Sequence, residues 1–289
     1  MGLDKIYNAD VPTLTLFPKA QAISVSKSHS LIIDLNNQVW GAGFNIQGKL
    51  GLGSEIFIRI PTIISNIKAK SIAAGYHYSL LIDLDNNIWV YGDNDTGQLG
   101  LGDRIKQKTL TLIPDFKGKL VTAGFNHSAI IDLEDNVWMF GANNYGQLGL
   151  GDAIYRLTPT LISGIKVKQM SLSENYTMLI DMNDNLWAFG SNDTGKLGLG
   201  DNLVRHIPTM IPDLKVRQVS TGMEHTVIID QNYNVLTCGS NYHGDLGLGE
   251  IGDRTVFTPI PNFKAFYVSA GWFNTMMIAT DLLSNNELM

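Results

Sequence analysis

Four of the five tryptophans, Trp40, Trp89, Trp138 and Trp187, stand 49 residues apart, and Leu236 holds the fifth place in the series. A glycine pair keeps the same phase at Gly51 and Gly53, Gly100 and Gly102, Gly149 and Gly151, Gly198 and Gly200, and Gly247 and Gly249. A proline phase runs Pro12, Pro61, Leu110, Pro159, Pro208, Phe257, and a Ser/Thr phase runs Ser30, Ser79, Ser128, Thr177, Thr226, Thr275. No insertion or deletion is needed to hold the register from Pro12 to Thr275. A fixed period of this length marks a solenoid or a propeller, in which one supersecondary unit stacks on copies of itself.

One repeat shows which unit it is. Leu120 to Ala123 is a short β-prone run ending at Gly124, and His127 to Asp132 is a second, mostly apolar run. Glu134-Asp135-Asn136 is hairpin-turn chemistry, because Asp and Asn tolerate left-handed backbone. Val137 to Phe140 is the next strand, stopped by Gly141, and Asn143 to Asp152 is a glycine-rich connection. A further strand runs from Thr158 to Ile162 beside Pro159. Four short strands per period, with no apolar spacing suited to a helix, predict an all-β fold, a β-propeller. Proline-phase and Ser/Thr-phase strands occur six times but the Trp strand five times, so about six blades are expected in a single domain over residues 1–289. The repeats run approximately 12–60, 61–109, 110–158, 159–207, 208–256 and 257–289, the last incomplete. Closure of the ring by the N- and C-terminal segments would hide the sheet edges.

The fullest copies of the motif are Gly124 to Ser128 with Asp132 to Asp152, and Gly75 to Ser79 with Asp83 to Asp103. They read Gly-x-x-His-Ser or Gly-x-x-Tyr-Ser, then Asp-x-x-[Asn/Asp]-Asn-[Val/Ile]-Trp-x-x-Gly-x-Asn-x-x-Gly-Gln-Leu-Gly-Leu-Gly-Asp. This resembles the regulator-of-chromosome-condensation (RCC-type) repeat, and the likeness covers almost the whole chain. Members of that family usually form seven-bladed propellers, a count from which six repeats depart. The founding member promotes guanine-nucleotide exchange on the small GTPase Ran through a β-wedge inserted in one blade, and carries a basic N-terminal tail for chromatin. The gapless register here leaves no room for a wedge, and the N-terminus is neither long nor basic.

The tryptophans in phase, Trp40, Trp89, Trp138 and Trp187, are expected to be structural, packed in the core between adjacent blades. Two places just before the [His/Tyr/Asn]-[Ser/Thr] pair of each repeat behave differently. The first reads Lys27, Tyr76, Phe125, Glu174, Met223, Trp272; the second reads Ser28, His77, Asn126, Asn175, Glu224, Phe273. Needs shared by every blade repeat, so side chains that break phase are free to serve a partner. Two readings are open for these columns, a binding patch and plain surface drift around a pore. In a plant member of the family a Gly-Trp-Arg-His-Thr segment puts its Trp where two propellers meet; the matching Trp272 lacks the Arg and His. The candidate partner-binding residues are Tyr76, His77, Phe125, Glu174, Met223, Glu224, Trp272 and Phe273, an aromatic patch with an acidic flank.

His29, His127 and His225 recur in alternate units and read as structural hydrogen-bonders rather than metal ligands. The Asp phase, Asp34 to Asp230, reads as hairpin support, and no EF-hand, phosphate-loop or nucleophile motif is present. No catalytic residue, cofactor or metal is therefore expected, and the chain is read as not an enzyme. The single cysteine, Cys238, fits a reducing compartment and is expected as a small buried apolar group. A formal charge of −6 without a Lys/Arg run argues against generic binding to nucleic acid or anionic membrane. With no signal-peptide pattern the expectation is an intracellular protein, cytoplasmic or nuclear, a monomer or weak oligomer. The function expected is a non-catalytic protein–protein interaction scaffold with an unknown protein partner; the alternative is exchange on a Ran-type small GTPase.

Overall fold

The structure, a computed structural model, describes residues 18–53 and 57–280. It divides into two compact units, Met1–Ala142 with Tyr155–Ser163, and Asn143–Ile154 with Gly164–Met289. The expected closing strand around Pro12 and the C-terminal tail fall on residues 1–17 and 281–289, outside the described residues.

The first unit holds β1 (Ala20–Val25), β2 (His29–Asp34), β3 (Gln38–Phe44), β4 (Phe57–Ala74), β5 (Tyr78–Asp83), β6 (Asn87–Gly92), β7 (Gln107–Lys117), β8 (Leu120–Ala123), β9 (His127–Ile131) and β10 (Asn136–Gly141). β11 (Arg156–Leu172) begins there and continues into the second unit. The second unit adds β12 (Tyr176–Asp181), β13 (Asn185–Gly190), β14 (Arg205–Thr221), β15 (His225–Asp230), β16 (Asn234–Gly239), β17 (Arg254–Ala270) and β18 (Thr275–Ala279). Neighbours pair in chain order from β1 to β7 and again from β8 to β18, in antiparallel ladders such as β5 with β6, as a propeller blade requires.

The strand expected to stop after the proline phase does not stop. The first half of β4 pairs with β3 (Trp40 opposite Ile63) and its second half with β5 (Ile72 opposite Leu81), so one strand is the last of one blade and the first of the next. β14 and β17 do the same. Asp115, Gly164, Asp213 and Asn262, again 49 apart, take positive φ of 54–85° inside β7, β11, β14 and β17; Asp115, Asp213 and Asn262 fall in the bulge where the pairing with the preceding strand shifts register.

The inner strands are buried on both faces. In β5, Tyr78, Leu80 and Ile82 join one apolar cluster with Val121, Ile130 and Phe140 of the next repeat, while Leu81 joins another with Leu31, Ile33 and Val39 of the repeat before. The alternation of strand side chains thus feeds two inter-blade cores, each such Leu or Ile contributing roughly 1.5–3 kcal/mol. At the ends of the series the same positions lie open. Val227 and Ile229 are 0% and 1% exposed, yet their phase-mates on β18, Met276 and Ile278, are 73% and 55% exposed.

The tryptophans correct the sequence expectation in one respect. They are half-buried rather than within the core, Trp89 and Trp138 packing on the margin of the inter-blade clusters. The cause is polar: the Trp138 indole donates to Asp132 Oδ2 at 2.8 Å, and Trp40, Trp89 and Trp187 donate likewise to Asp34, Asp83 and Asp181 at 2.9–3.0 Å. Asp132 Oδ1 meanwhile accepts the backbone N–H of Glu134 and of Asn136, which holds the hairpin turn. A ring tethered by its edge to a turn carboxylate cannot sink fully into the cluster. Losing Trp138 would therefore remove one of the donors to Asp132 as well as buried area, leaving Oδ2 with the Asn136 amide alone. Cys238 is fully buried.

Candidate functional site

Hydrogen bonds in the Gly-x-x-[His/Tyr/Asn]-[Ser/Thr] segments explain why most of the segment cannot vary. The Ser79 hydroxyl donates to the carbonyl of Lys49 at 2.8 Å, in the glycine-rich loop of the preceding repeat. Ser128, Thr177, Thr226 and Thr275 reach Gln98, Gln147, Lys196 and Asp245 in the same way. One place earlier, the Tyr78 and Tyr176 hydroxyls donate forward to the carbonyls of His127 and His225, both at 2.6 Å. His29 Nε2 and His225 Nε2 lie 2.9 and 3.0 Å from the hydroxyls of Ser79 and Thr275. Hydroxyls at five repeats thus latch backwards, and the rings of His29, Tyr78, Tyr176 and His225 latch forwards. The histidines bridge blades rather than hold the turn alone. Burial, joined at His29 by the charges of Lys49 and His77, depresses His29 and His127 to about 3.

The two variable places project from these latched turns. In the first unit the turns before β5 and β9 bring Tyr76 against Phe125, with ring centroids 3.7 Å apart and planes 18° from parallel. His77 packs on Tyr76 at 4.2 Å. Lys27 extends its ammonium to 3.1 Å from the Tyr76 hydroxyl and 5.4 Å from the ring centroid, a cation–π arrangement. Beneath this group lies Lys49, 1% exposed, donating to Ser28 Oγ at 2.6 Å.

In the second unit, Met223 N–H donates to the Trp272 carbonyl at 3.3 Å. Trp272 and Phe273 are 38% and 50% exposed and meet edge-on. Glu224 is ion-paired with Lys196, itself 1% exposed, which also meets Asp193 at 2.7 Å. Glu174 is raised above its ordinary range, first by burial and then by the charge of Glu224. The residues singled out in the sequence therefore form two groups: Tyr76, His77 and Phe125 with Lys27 in the first unit, and Glu174, Met223, Glu224, Trp272 and Phe273 in the second. Among the described residues no group of three or more His, Cys, Asp or Glu is placed to hold a metal ion. Nor is any helix there long and apolar enough to cross a membrane.

Residues 4–277 match the RCC1-like domain as one stretch. The chain belongs to that family. Among solved structures this RCC1-like chain is similar to Prp20p from Saccharomyces cerevisiae, at 17% identity over 90% of this chain and 68% of that one, with a TM-score of 0.81. It is also similar to a structure of Kap60 bound to yeast RCC1 (Prp20), at 16% identity, 89% and 79% coverage and a TM-score of 0.73. Human WBSCR16 follows at 19% identity, 92% and 88% coverage and a TM-score of 0.63. At these identities the likeness is one of fold. No curated protein matches the chain in sequence.

Sequence reasoning missed two contributors to this RCC1-like surface. Tyr242 and His243 meet edge-on, and His243 meets Phe273 at 5.2 Å. They stand where other repeats have Asp95-Thr96 and Asp193-Thr194, so the break in phase was present, hidden in what reads as a glycine-loop turn. Lys49 and Lys196 were missed for the same reason.

Proposed function

We propose that this RCC1-like chain is a non-catalytic protein-interaction module whose contacts are made by the phase-breaking side chains at the two variable places. The observation that carries the reading is the contrast within five residues. In Gly271-Trp272-Phe273-Asn274-Thr275, the Thr275 hydroxyl is tied to the preceding repeat, whereas Trp272 and Phe273, 38% and 50% exposed, present ring surface to solvent, Phe273 beside His243. Large exposed aromatics next to fixed latches suit a partner, since Trp and Tyr are enriched among interface hot spots. Support also comes from the relatives: Prp20p is described by its binding to Gsp1p and histones, and yeast RCC1 (Prp20) was crystallised with Kap60.

The test starts from a partner captured by the wild-type protein and identified by mass spectrometry. Trp272→Ala is expected to weaken that complex about thirtyfold, equivalent to about 2 kcal/mol, with the melting temperature unchanged. Equal affinity, or an unfolded variant, would remove Trp272 from the interface. In the same preparation, labelled-GDP release from a Ran-type GTPase is expected to stay at its intrinsic rate. Clear acceleration would replace the scaffold reading with nucleotide exchange.

A further inference from the structure

The two repeats that carry lysine in the glycine-rich loop meet its charge differently. Gln98 and Gln147 fill this place in other repeats; Gln98 Oε1 accepts from Thr96, and its amide donates to Asp93. Lys196 replaces that glutamine and is neutralised by Glu224 and Asp193. Lys49 stands 147 residues earlier, three repeats away, so its equivalents of Glu224 and Asp193 are His77 and Ile46. Lys49 Nζ lies 3.4 Å from His77 Nδ1 and bonds Ser28 Oγ, and among the described residues no carboxylate pairs with it. Both lysines are equally buried. A buried ammonium facing an imidazole is costly where its twin faces carboxylates. Its pKa is pushed down by burial, and after burial itself its charge is the next influence lowering His77.

We propose that Lys49 is the receptor for an acidic side chain, a Glu or Asp of a protein partner, entering beside His77 next to the Tyr76–Phe125 stack. The inference rests on the reading of these columns as a protein-interaction site and gives that site a chemistry. Entry is sterically modest. Glu224 and Asp193 reach the equally buried Lys196 while their own side chains stay 28% and 70% exposed. His77 is likewise half-exposed, and the exposed Lys27 supplies a second cation over Tyr76. The stacked rings offer an apolar platform for the residues flanking the acid, so an aromatic or aliphatic neighbour to the Glu or Asp is expected.

A phage-displayed random peptide library selected on the wild-type protein, with synthetic peptides measured by fluorescence anisotropy, tests this. Selected peptides are expected to share a Glu or Asp and to bind Lys49→Gln at least tenfold more weakly, that variant melting no lower than wild type because glutamine already serves two other repeats. Changing the peptide's acid to Gln should cost the same factor on wild type and nothing on Lys49→Gln. His77→Glu, which copies the Glu224 arrangement, should raise the melting temperature and also lose the acidic peptides. Peptides that depend on Tyr76 and Phe125 but are indifferent to their acid and to Lys49→Gln overturn this inference and leave the interaction surface standing. Selection of no peptide, or of peptides unaffected by Tyr76→Ala and Phe125→Ala, overturns the inference together with that reading of the first unit. A phosphoserine peptide binding more than tenfold tighter than its Glu counterpart overturns the assignment to a carboxylate.

Discussion

Between pH 7 and pH 4 the protein is expected to lose about 3 kcal/mol of stability through each of His29 and His127. Both rings are enclosed, at 2% and 0% exposure, and their folded pKa values lie at about 3. An unfolded histidine titrates at about 6.5. The folded value is depressed, so the unfolded chain binds more protons throughout that interval. Stability is therefore complete above pH 6.5 and drains as pH falls toward 3. His225 adds in the same direction, burial there outweighing the charge of Asp245. The turn carboxylates act lower on the scale. Burial tends to raise Asp83, Asp132 and Asp181, but the Trp and Asn donors and the backbone N–H groups outweigh it and hold them below the ordinary range. Their contribution stays intact until pH drops below about 4. Melting temperatures from pH 7.5 to 4 check the sequence of events. His29→Tyr and His127→Tyr place at these positions the residue found at Tyr78 and Tyr176, which takes up no proton, and should flatten the curve. A melting temperature level between pH 7 and pH 5 in the wild type would refute the assignment.

Gly141→Ala should cost at least about 3 kcal/mol, although it adds a single methyl group. Gly141 closes β10 opposite His127 with φ of +100°, a conformation that side chains resist. An added Cβ would lie 2.5 Å from the Asn126 carbonyl oxygen and 2.8 Å from His127 Cα. That oxygen is already committed to the N–H of Ala142 at 2.8 Å, so the strand cannot shift without breaking the turn that presents Phe125 and Asn126. Chemical denaturation of Gly141→Ala beside Gly164→Ala, whose Cβ meets nothing within 4 Å, separates the clash from the backbone strain they share. If the two variants fall by the same amount, the contact with Asn126 is not what matters.

Much of this was open to a reader of the sequence because structure and period coincide. The run Leu120–Ala123 is β8 as expected, and the turn residue Asp135 takes φ of +68°, the left-handed geometry read from Glu134-Asp135-Asn136. The continuity of the long strands was not foreseen, since Pro-Asp and Ser-Gly pairs such as those at Asp213 and Gly164 ordinarily signal a stop. Here the left-handed residue sits inside a strand that continues. The tryptophans were placed too deep because an indole was weighed as area and not as a donor. In the candidate site, Trp272 and Phe273 were visible by breaking phase. Lys49 was not, because its singularity is the absence of a glutamate at residue 77, which no residue type announces by itself.

The strand shared between blades decides where this chain can be cut. Opening the turn at Asn86 severs β5 from β6, and the two pieces would still complete one another's blade through the ladder from Tyr78–Gly92 to Ile82–Ile88. Opening β4 between its two pairings instead yields fragments made of whole blades, which meet across the apolar cluster around Leu31, Leu50 and Leu81 and through single latches such as Ser79 to Lys49, not along a continuous strand ladder. A split reporter built on this scaffold would therefore reassemble by itself when divided at a hairpin. It would need a tether or a partner when divided along the crossing strand.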